Sequence, residues 1–309
     1  MRALVTGGNG FVGRHLVALL RERGIEAIVA GRSTEGDIDV PLDLGDTQNV
    51  RGVVEFAAPD AVVHLAAQAF VPEATRDPLG TYDVNVLGTA RLYEGLRALE
   101  RKPRVVYVSS AEVYGIREPG EYPVNERAAP RPSTPYAASK LAGEAIAAAS
   151  GRTYGIPTIV TRAFNHIGPG QSDRFAVASF AGQLAAIANG GPPLMLVGNL
   201  KAQRDFLDVR DVAEAYAAIM ERGVPGEIYN VCSGTPVAMQ EVLRRLVMIA
   251  RVPVEIREDP ERMRPSDIPI AFGDNAKLKA QTGWEPRFSL DASLRDVYED
   301  ALVRIGART

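Results

Sequence analysis

Tyr136 and Lys140, in the stretch "STPYAASKLAGE", stand four residues apart. On a helix that spacing puts a phenol and an ammonium on one face, one turn apart. A free phenol, with an ordinary pKa of about 10, is a poor acid–base catalyst at neutral pH. A neighbouring ammonium favours the phenolate and brings the group towards a useful range. The same spacing also describes a solvated surface pair, so by itself it leaves both readings open. Upstream, "SSAEVYG" follows the apolar run "PRVVYV" and sets Ser109, Ser110, Glu112 and Tyr114 at the end of what reads as a buried strand. A hydroxyl there can bond a reacting oxygen or only nearby backbone, and Glu112 can be an acid or base or a bystander.

A second cluster lies at the amino terminus. "TGGNGFVG" places Gly7, Gly10 and Gly13 between the apolar "RALVT" and the amphipathic "GFVGRHLVALLRERG". Glycines in that context let the chain turn sharply, let a pyrophosphate approach the backbone and let helix and strand pack closely. The phosphates then meet unpaired N–H groups at a helix N-terminus. A tight turn without a ligand is the bland alternative. The next strand ends in "AGRS", where a cofactor lacking a 2′-phosphate usually meets an Asp or Glu. Arg32, helped by Ser33, can instead fork onto a phosphate, which favours NADP(H). NAD(H) is the second reading, since Asp37 or Asp39 could still serve a ribose. Asp43 and Leu44 in "PLDLGD" are placed to border an adenine, although an acidic surface turn reads the same way.

The elements that must position these residues follow from the hydropathy pattern. Valine-rich runs, "RALVT", "EAIVAG", "DAVVHLA", "RVVYVSS" and "PTIVTRAF", alternate with segments of helical period. Their continuous apolar character predicts strands buried on both faces: an α/β fold built on a Rossmann-type, doubly wound parallel sheet. Two helices are predicted at about 77–99 and 134–153, the latter N-capped by Ser133 or Thr134 with Pro135 in its first turn. Near Asn165 the texture becomes rich in glycine and turn formers, in "NHIGPGQSDRFAV". The expected organisation is a dinucleotide-binding domain over 1–165, a smaller α/β substrate lobe over 166–205 and 235–309, and a return to the first domain over 206–234 through "DFLDVRDVAEAYAAIMERG" and "EIYNVCSG". The lobes are then interleaved.

Bulk properties exclude several classes. The 309 residues, 46% hydrophobic, suffice for a large core, and a net charge of −3 with scattered basic residues is unlike a nucleic-acid binder. Cys232 is the single cysteine and His15, His64 and His166 are widely separated, so neither a disulfide framework nor a metal site is expected. His64 reads as a satisfied core histidine. The chain enters a strand at once and carries no apolar run of membrane-spanning length, which sets the expectation of a cytoplasmic protein.

Taken together, "TGGNGFVG", "HLAAQ", "SSAEVYG" and Tyr-x-x-x-Lys resemble the extended short-chain dehydrogenase/reductase superfamily of nucleotide-sugar epimerases, dehydratases and reductases. The resemblance implies a triad in which Tyr136 exchanges a proton with the sugar oxygen, Ser110 bonds that oxygen and Lys140 binds the nicotinamide ribose and tunes the phenol. It implies that Phe11, Val12, Leu65, Ala66, Ala67, Gln68 and Phe164 line the cofactor with the glycines, and that Asn85 in "DVNVLGT" supports the active-site helix. It also implies a homodimer through a four-helix bundle made by the two long helices, whose alanine-rich "YAASKLAGEAIAAAS" would permit close packing; an internal helix packed on the sheet is the alternative.

Further on, "FNHIGPGQ", "VGN" followed by "RDF" with "DVRD", "YNVCSG", "RPSDIP" and "TGWEP" look like the GDP-4-keto-6-deoxy-D-mannose reductases, which make GDP-D-rhamnose. The related GDP-mannose 4,6-dehydratases typically read "FNHESP" there. A sugar diphosphate needs cations that reach both phosphates, for which Arg204 and Arg264 are candidates, each otherwise a surface salt-bridge partner. The resemblance implies that Asn165, Phe175, Gly198, Asn199, Arg204 and Arg264 hold the nucleotide diphosphate and that Asp267 reaches a ribose hydroxyl. Glu112 occupies the place of a dehydratase acid–base group, kept here beside Ser110 as an auxiliary. A 4,6-dehydratase or 4-epimerase is the alternative activity, and a non-catalytic dinucleotide sensor the distant one.

Overall fold

The computed structural model describes residues 1–32, 38–263 and 268–306. Strand β1 (Arg2–Thr6) runs into the glycine loop and helix α1 (Phe11–Glu22), then β2 (Glu26–Gly31) and the short β3 (Val40–Pro41). Helix α2 (Thr47–Ala57) is N-capped by Asp46, whose carboxylate accepts from the amides of Gln48 and Asn49. Beyond β4 (Ala61–His64) come α3 (Val71–Arg76), α4 (Pro78–Tyr82) and α5 (Gly88–Ala98), and then β5 (Arg104–Ser110). Helix α6 (Pro135–Tyr154) and β6 (Thr158–Ala163) follow.

These strands form one seven-stranded sheet in the order β10-β6-β5-β4-β1-β2-β3, where β10 is Ile228–Val231. Every pairing in it is parallel. The doubly wound sheet expected from the apolar runs is therefore present. The chain leaves β1 in one direction through β2 and β3, then returns to the other side of β1 to lay down β4. A crevice opens at such a switch point, here beyond the C-terminal ends of β1 and β4.

Alternate residues of β1 face opposite layers. Ala3 and Val5 pack with Leu16 and Leu20 of α1 and with Tyr216 and Ile219 of α8 (Val209–Arg222); Leu4 packs with Val53, Val54, Leu92 and Tyr107. A third core belongs to the second lobe: Phe180 and Leu184 of α7 (Ala176–Ala188), Val242 and Leu246 of α9 (Met239–Ala250), and Val297 and Tyr298 of α11 (Leu290–Gly306).

Two differences from the sequence reading have physical causes. The stretch 77–99 is not one α-helix: α4 passes into a π-helical turn at Asp83–Leu87 before α5. The wide turn adds a residue without breaking the helical path, so hydropathy does not reveal it. The "DFLDV" run forms part of β9 (Gln203–Asp208), but β9 pairs with β7 (Asn165–Ile167), β11 (Pro236–Ala238) and β13 (Ile270–Ala271) in a smaller sheet. Of that region only β10 pairs in the large sheet, while α8 and Leu207 of β9 pack into its core layer. An apolar run tells that a strand is buried, not which sheet it joins. The remaining pair, β8 (Leu194–Val197) and β12 (Glu255–Glu258), is a parallel ribbon in the second lobe, and α10 (Ala276–Thr282) packs near β10.

Candidate active site

The glycine loop is built to bring two strands' ends together. Gly7 has φ of 71°, and a Cβ there would meet the backbone nitrogen of Ala66 at 2.9 Å. Only glycine relieves both constraints, so the loop lies directly against the segment Leu65–Gln68. A Cβ on Gly13 would strike the carbonyl of Gly7, which is why α1 can start so close to β1. The first turn of α1, with Phe11 and Val12, has no side-chain cap and no acidic residue, so its amides are left to an anion. Arg32 is exposed just beyond β2, and Asp43 closes its own turn by accepting from the Gly45 amide at 2.9 Å while Leu44 is buried. The glycine loop, the open first turn of α1 and Arg32 fit the phosphates of a dinucleotide. Ser33, Arg264 and Asp267 lie outside the described residues.

The catalytic candidates converge on α6. Thr134 caps it by accepting from the Ala137 amide, and Pro135 opens its first turn. Tyr136 and Lys140 face the end of β5 and are both buried, at 8% and 5% exposed. The Ser110 hydroxyl faces the phenol closely enough to favour its anion, and accepts from the Glu112 amide at 3.2 Å, opening the tight turn Ala111–Tyr114. Lys140 donates to the carbonyl of Val108 at 2.9 Å and stands over the Tyr107 ring.

The electrostatics differ from the sequence expectation. Burial pushes the Tyr136 phenol up to about 12; the Ser110 hydrogen bond opposes the shift and the Glu112 charge adds to it. Lys140 is not what sets the phenol here, because removal from water outweighs the Ser110 hydrogen bond that favours the anion. The Lys140 ammonium is itself pushed down to about 8 by burial, against the Glu144 charge. The phenol thus carries its proton at neutral pH.

Asn85, on the π-helical turn, ties three elements. It accepts from the Gln68 amide at 2.8 Å and donates to the Gln68 carbonyl and to Ser139 Oγ, both at 2.9 Å. Ser139 in turn donates to the carbonyl of Tyr136 at 2.7 Å, so Asn85 fixes α6 relative to the Leu65–Gln68 segment. His64 is a core histidine: its ring nitrogens meet Thr6 Oγ1 at 2.7 Å and Thr89 Oγ1 at 3.2 Å, and burial with the Lys140 charge pushes it down to about 3.

The second lobe presents a looser set. Asn165 on β7 is exposed and pairs with Phe206, two residues beyond the half-buried Arg204 on β9. Gly198 lies where a Cβ would meet the Arg262 carbonyl at 2.5 Å, and Asn199 accepts from the Lys201 amide. Phe175 starts α7 and packs edge-on to Phe70 at 5.8 Å, which brings it beside the Gln68 segment. Phe164 is buried against Tyr114.

Sequence reasoning missed Glu144 and Arg162, a buried ion pair behind the cluster with contacts of 2.9 and 2.6 Å. A signal existed. Glu144 is four residues beyond Lys140 on the same helix face, and Arg162 is a charge inside an apolar strand that demands a partner. Among the described residues no helix is long and apolar enough to cross a membrane, and no cluster of metal-ligating side chains occurs.

A family model described as GDP-mannose 4,6 dehydratase matches residues 4–297. A GDP-6-deoxy-D-mannose reductase from Pseudomonas aeruginosa is 41% identical over 97% of this chain and 96% of its own length. A GDP-6-deoxy-D-talose 4-dehydrogenase from Aggregatibacter actinomycetemcomitans is 33% identical over 99% of both. Among solved structures, RMD from Pseudomonas aeruginosa complexed with NADPH superposes with a TM-score of 0.90 at 38% identity, covering 98% of this chain and 100% of that one.

Proposed function

This chain belongs to the GDP-mannose 4,6 dehydratase family of short-chain dehydrogenase/reductase enzymes, and from that premise we propose that it reduces the C4 ketone of GDP-4-keto-6-deoxy-D-mannose to GDP-D-rhamnose with NADPH. One observation carries the reading: over 97% of its length the chain is 41% identical to a GDP-6-deoxy-D-mannose reductase, and its buried Tyr136, faced by Ser110 and one turn from Lys140, is placed to exchange a proton with a sugar oxygen. Bound NADPH supplies the hydride. The open first turn of α1 and Gly7 receive its pyrophosphate, and Arg32 with Ser33 receives a 2′-phosphate; NAD(H) would forgo that contact.

Tyr136 gives its proton to the developing alkoxide while Ser110 donates a hydrogen bond to the same oxygen. Lys140, released from the Val108 carbonyl, holds the nicotinamide ribose and offsets the phenolate left behind. Glu112 stands close enough to act on the phenol electrostatically and serves as an auxiliary contact to the sugar. Asn165, Phe175, Gly198, Asn199, Arg204 and Arg264 form the nucleotide-diphosphate site, with Asp267 on a ribose hydroxyl. The proposed division is a dinucleotide domain over 1–165 with 206–234 and a substrate lobe over 166–205 with 235–309, and at their seam β7 and β9 pair with each other in the smaller sheet.

We also propose a homodimer through a four-helix bundle of the α4–α5 stretch and α6. Leu79 and Leu87, 78% and 51% exposed, leave an apolar edge on that stretch. The reading carries a cytoplasmic location with it, where the lone buried thiol of Cys232 stays reduced.

The test is to mix the protein with GDP-4-keto-6-deoxy-D-mannose and NADPH, follow nicotinamide absorbance and identify the product by NMR. Cofactor oxidation with GDP-D-rhamnose as product is expected. The C4 epimer as product would make it a talose-forming enzyme, the second reading, which the 33% identical relative favours. No oxidation, together with turnover of GDP-mannose by the oxidised cofactor, would make it a dehydratase.

A further inference from the structure

Glu144 is the third acid–base group on the catalytic face of α6, four residues beyond Lys140 and eight beyond Tyr136. Its carboxylate is fully engaged. Oε1 accepts from Ser109 Oγ at 2.6 Å and from Arg162 Nε at 2.9 Å, and Oε2 accepts from Arg162 Nη2 at 2.6 Å. The side chains of the pair are 7% and 3% exposed.

A buried ion pair is weak evidence for stability, because the cost of removing both charges from water offsets most of their attraction. Its position points to something else. Ser109 directly precedes Ser110 on β5, and Arg162 lies on β6 two residues before Phe164. The Arg162 guanidinium also sits over the Tyr114 ring at 4.7 Å, whose hydroxyl donates to Asn230 at 2.7 Å. One carboxylate thus joins the helix that carries Tyr136 and Lys140 to the strand that carries Ser110.

We propose that Glu144 is a positioning residue for the Ser110–Tyr136–Lys140 cluster, locking α6 onto the ends of β5 and β6 and supplying the anion that faces the Lys140 ammonium. The proposal rests on the assignment of that cluster as the reactive one. The other ionisable groups around Lys140 are the phenols of Tyr136 on its own helix and Tyr107 on β5, and His64 on β4; Arg162 on β6 is bonded to Glu144, and Glu112 acts on Tyr136. His64 is held neutral by burial, so Glu144 is the anion left to oppose the desolvation of Lys140. Burial lowers Lys140 to about 8 even with Glu144 present. The cation is complete below that pH and is lost above it, so the anion matters most on the alkaline side.

The test is the pH profile of kcat for ketone reduction in Glu144→Gln, together with titration of the Lys140 Cε resonance in 13C-lysine-labelled protein without cofactor, assigned with Lys140→Arg. The expected result is a Lys140 midpoint lowered by about one unit and a loss of kcat roughly five- to tenfold greater at about pH 8.5 than at about pH 6.5. Glu144→Asp, which keeps the charge, should return most of the alkaline activity. An equal loss at every pH with an unmoved Lys140 resonance would overturn the proposal and leave Glu144 a purely structural residue. If Glu144→Gln does not fold, the Glu144→Gln/Arg162→Met pair, which buries no unpaired charge, is read in the same way. Full activity of Tyr136→Phe would sink the cluster assignment instead, and the cofactor-free Lys140 titration tells that failure apart from this one.

Discussion

Tyr136, Lys140 and Asn85 are each less than a tenth exposed, Asn85 tied through Ser139 to the Tyr136 carbonyl and Lys140 to that of Val108, whereas Asn165 is exposed and Gly198, Asn199 and Arg204 are half-buried on the small sheet and its loops. The first region is complete without a ligand. Asn85 and Ser139 are bonded to backbone and to each other, and Glu144 to the side chains of Ser109 and Arg162, so the reacting groups are pre-positioned by the core. The second region offers polar groups and backbone that a diphosphate would gather. The difference separates rate from affinity: changes in the first should fall on kcat, and changes in the second on KM.

The sharpest way to break that division is Tyr136→Phe, which removes the proton donor and keeps the ring. It should lower kcat by roughly 10²–10⁴-fold with little change in KM, measured by steady-state NADPH oxidation. Glu112→Gln, beside the same phenol, should cost far less; a comparable loss from both would place Glu112 in the chemistry. In the second region Arg204→Ala should raise KM for the GDP-sugar roughly ten- to hundredfold at nearly constant kcat, the weight of a charge-assisted hydrogen bond. A kcat loss of that size instead would erase the contrast between the regions. The smallest effect on turnover is expected from Leu79→Glu/Leu87→Glu, which lies outside both regions and should yield monomers in light scattering while kcat changes by less than about threefold. A dimer that persists would remove the helix-bundle interface from the reading.

Much of the fold was legible because it is local or periodic. Five valine-rich runs became β1, β2, β4, β5 and β6, and "STP" before Tyr136 became the cap and first turn of α6. What the sequence did not reveal was long-range. β9 went to the small sheet through partners at 165–167, 236–238 and 270–271, and hydropathy names no partner. The π-helical turn was hidden in the same way, although it is what lets Asn85 reach both Gln68 and Ser139.

The sequence by itself determined the glycine loop at a helix start and the single face of α6 that carries Tyr136, Lys140 and Glu144, since spacing on a helix needs no other part of the chain. Only the tertiary structure decided what those groups are chemically. Tyr136 is a protonated phenol rather than one lowered by its lysine, and Lys140 is a marginal cation, because every layer packed over α6 removes water from them. Desolvation belongs to the whole fold and cannot be read from any stretch of it.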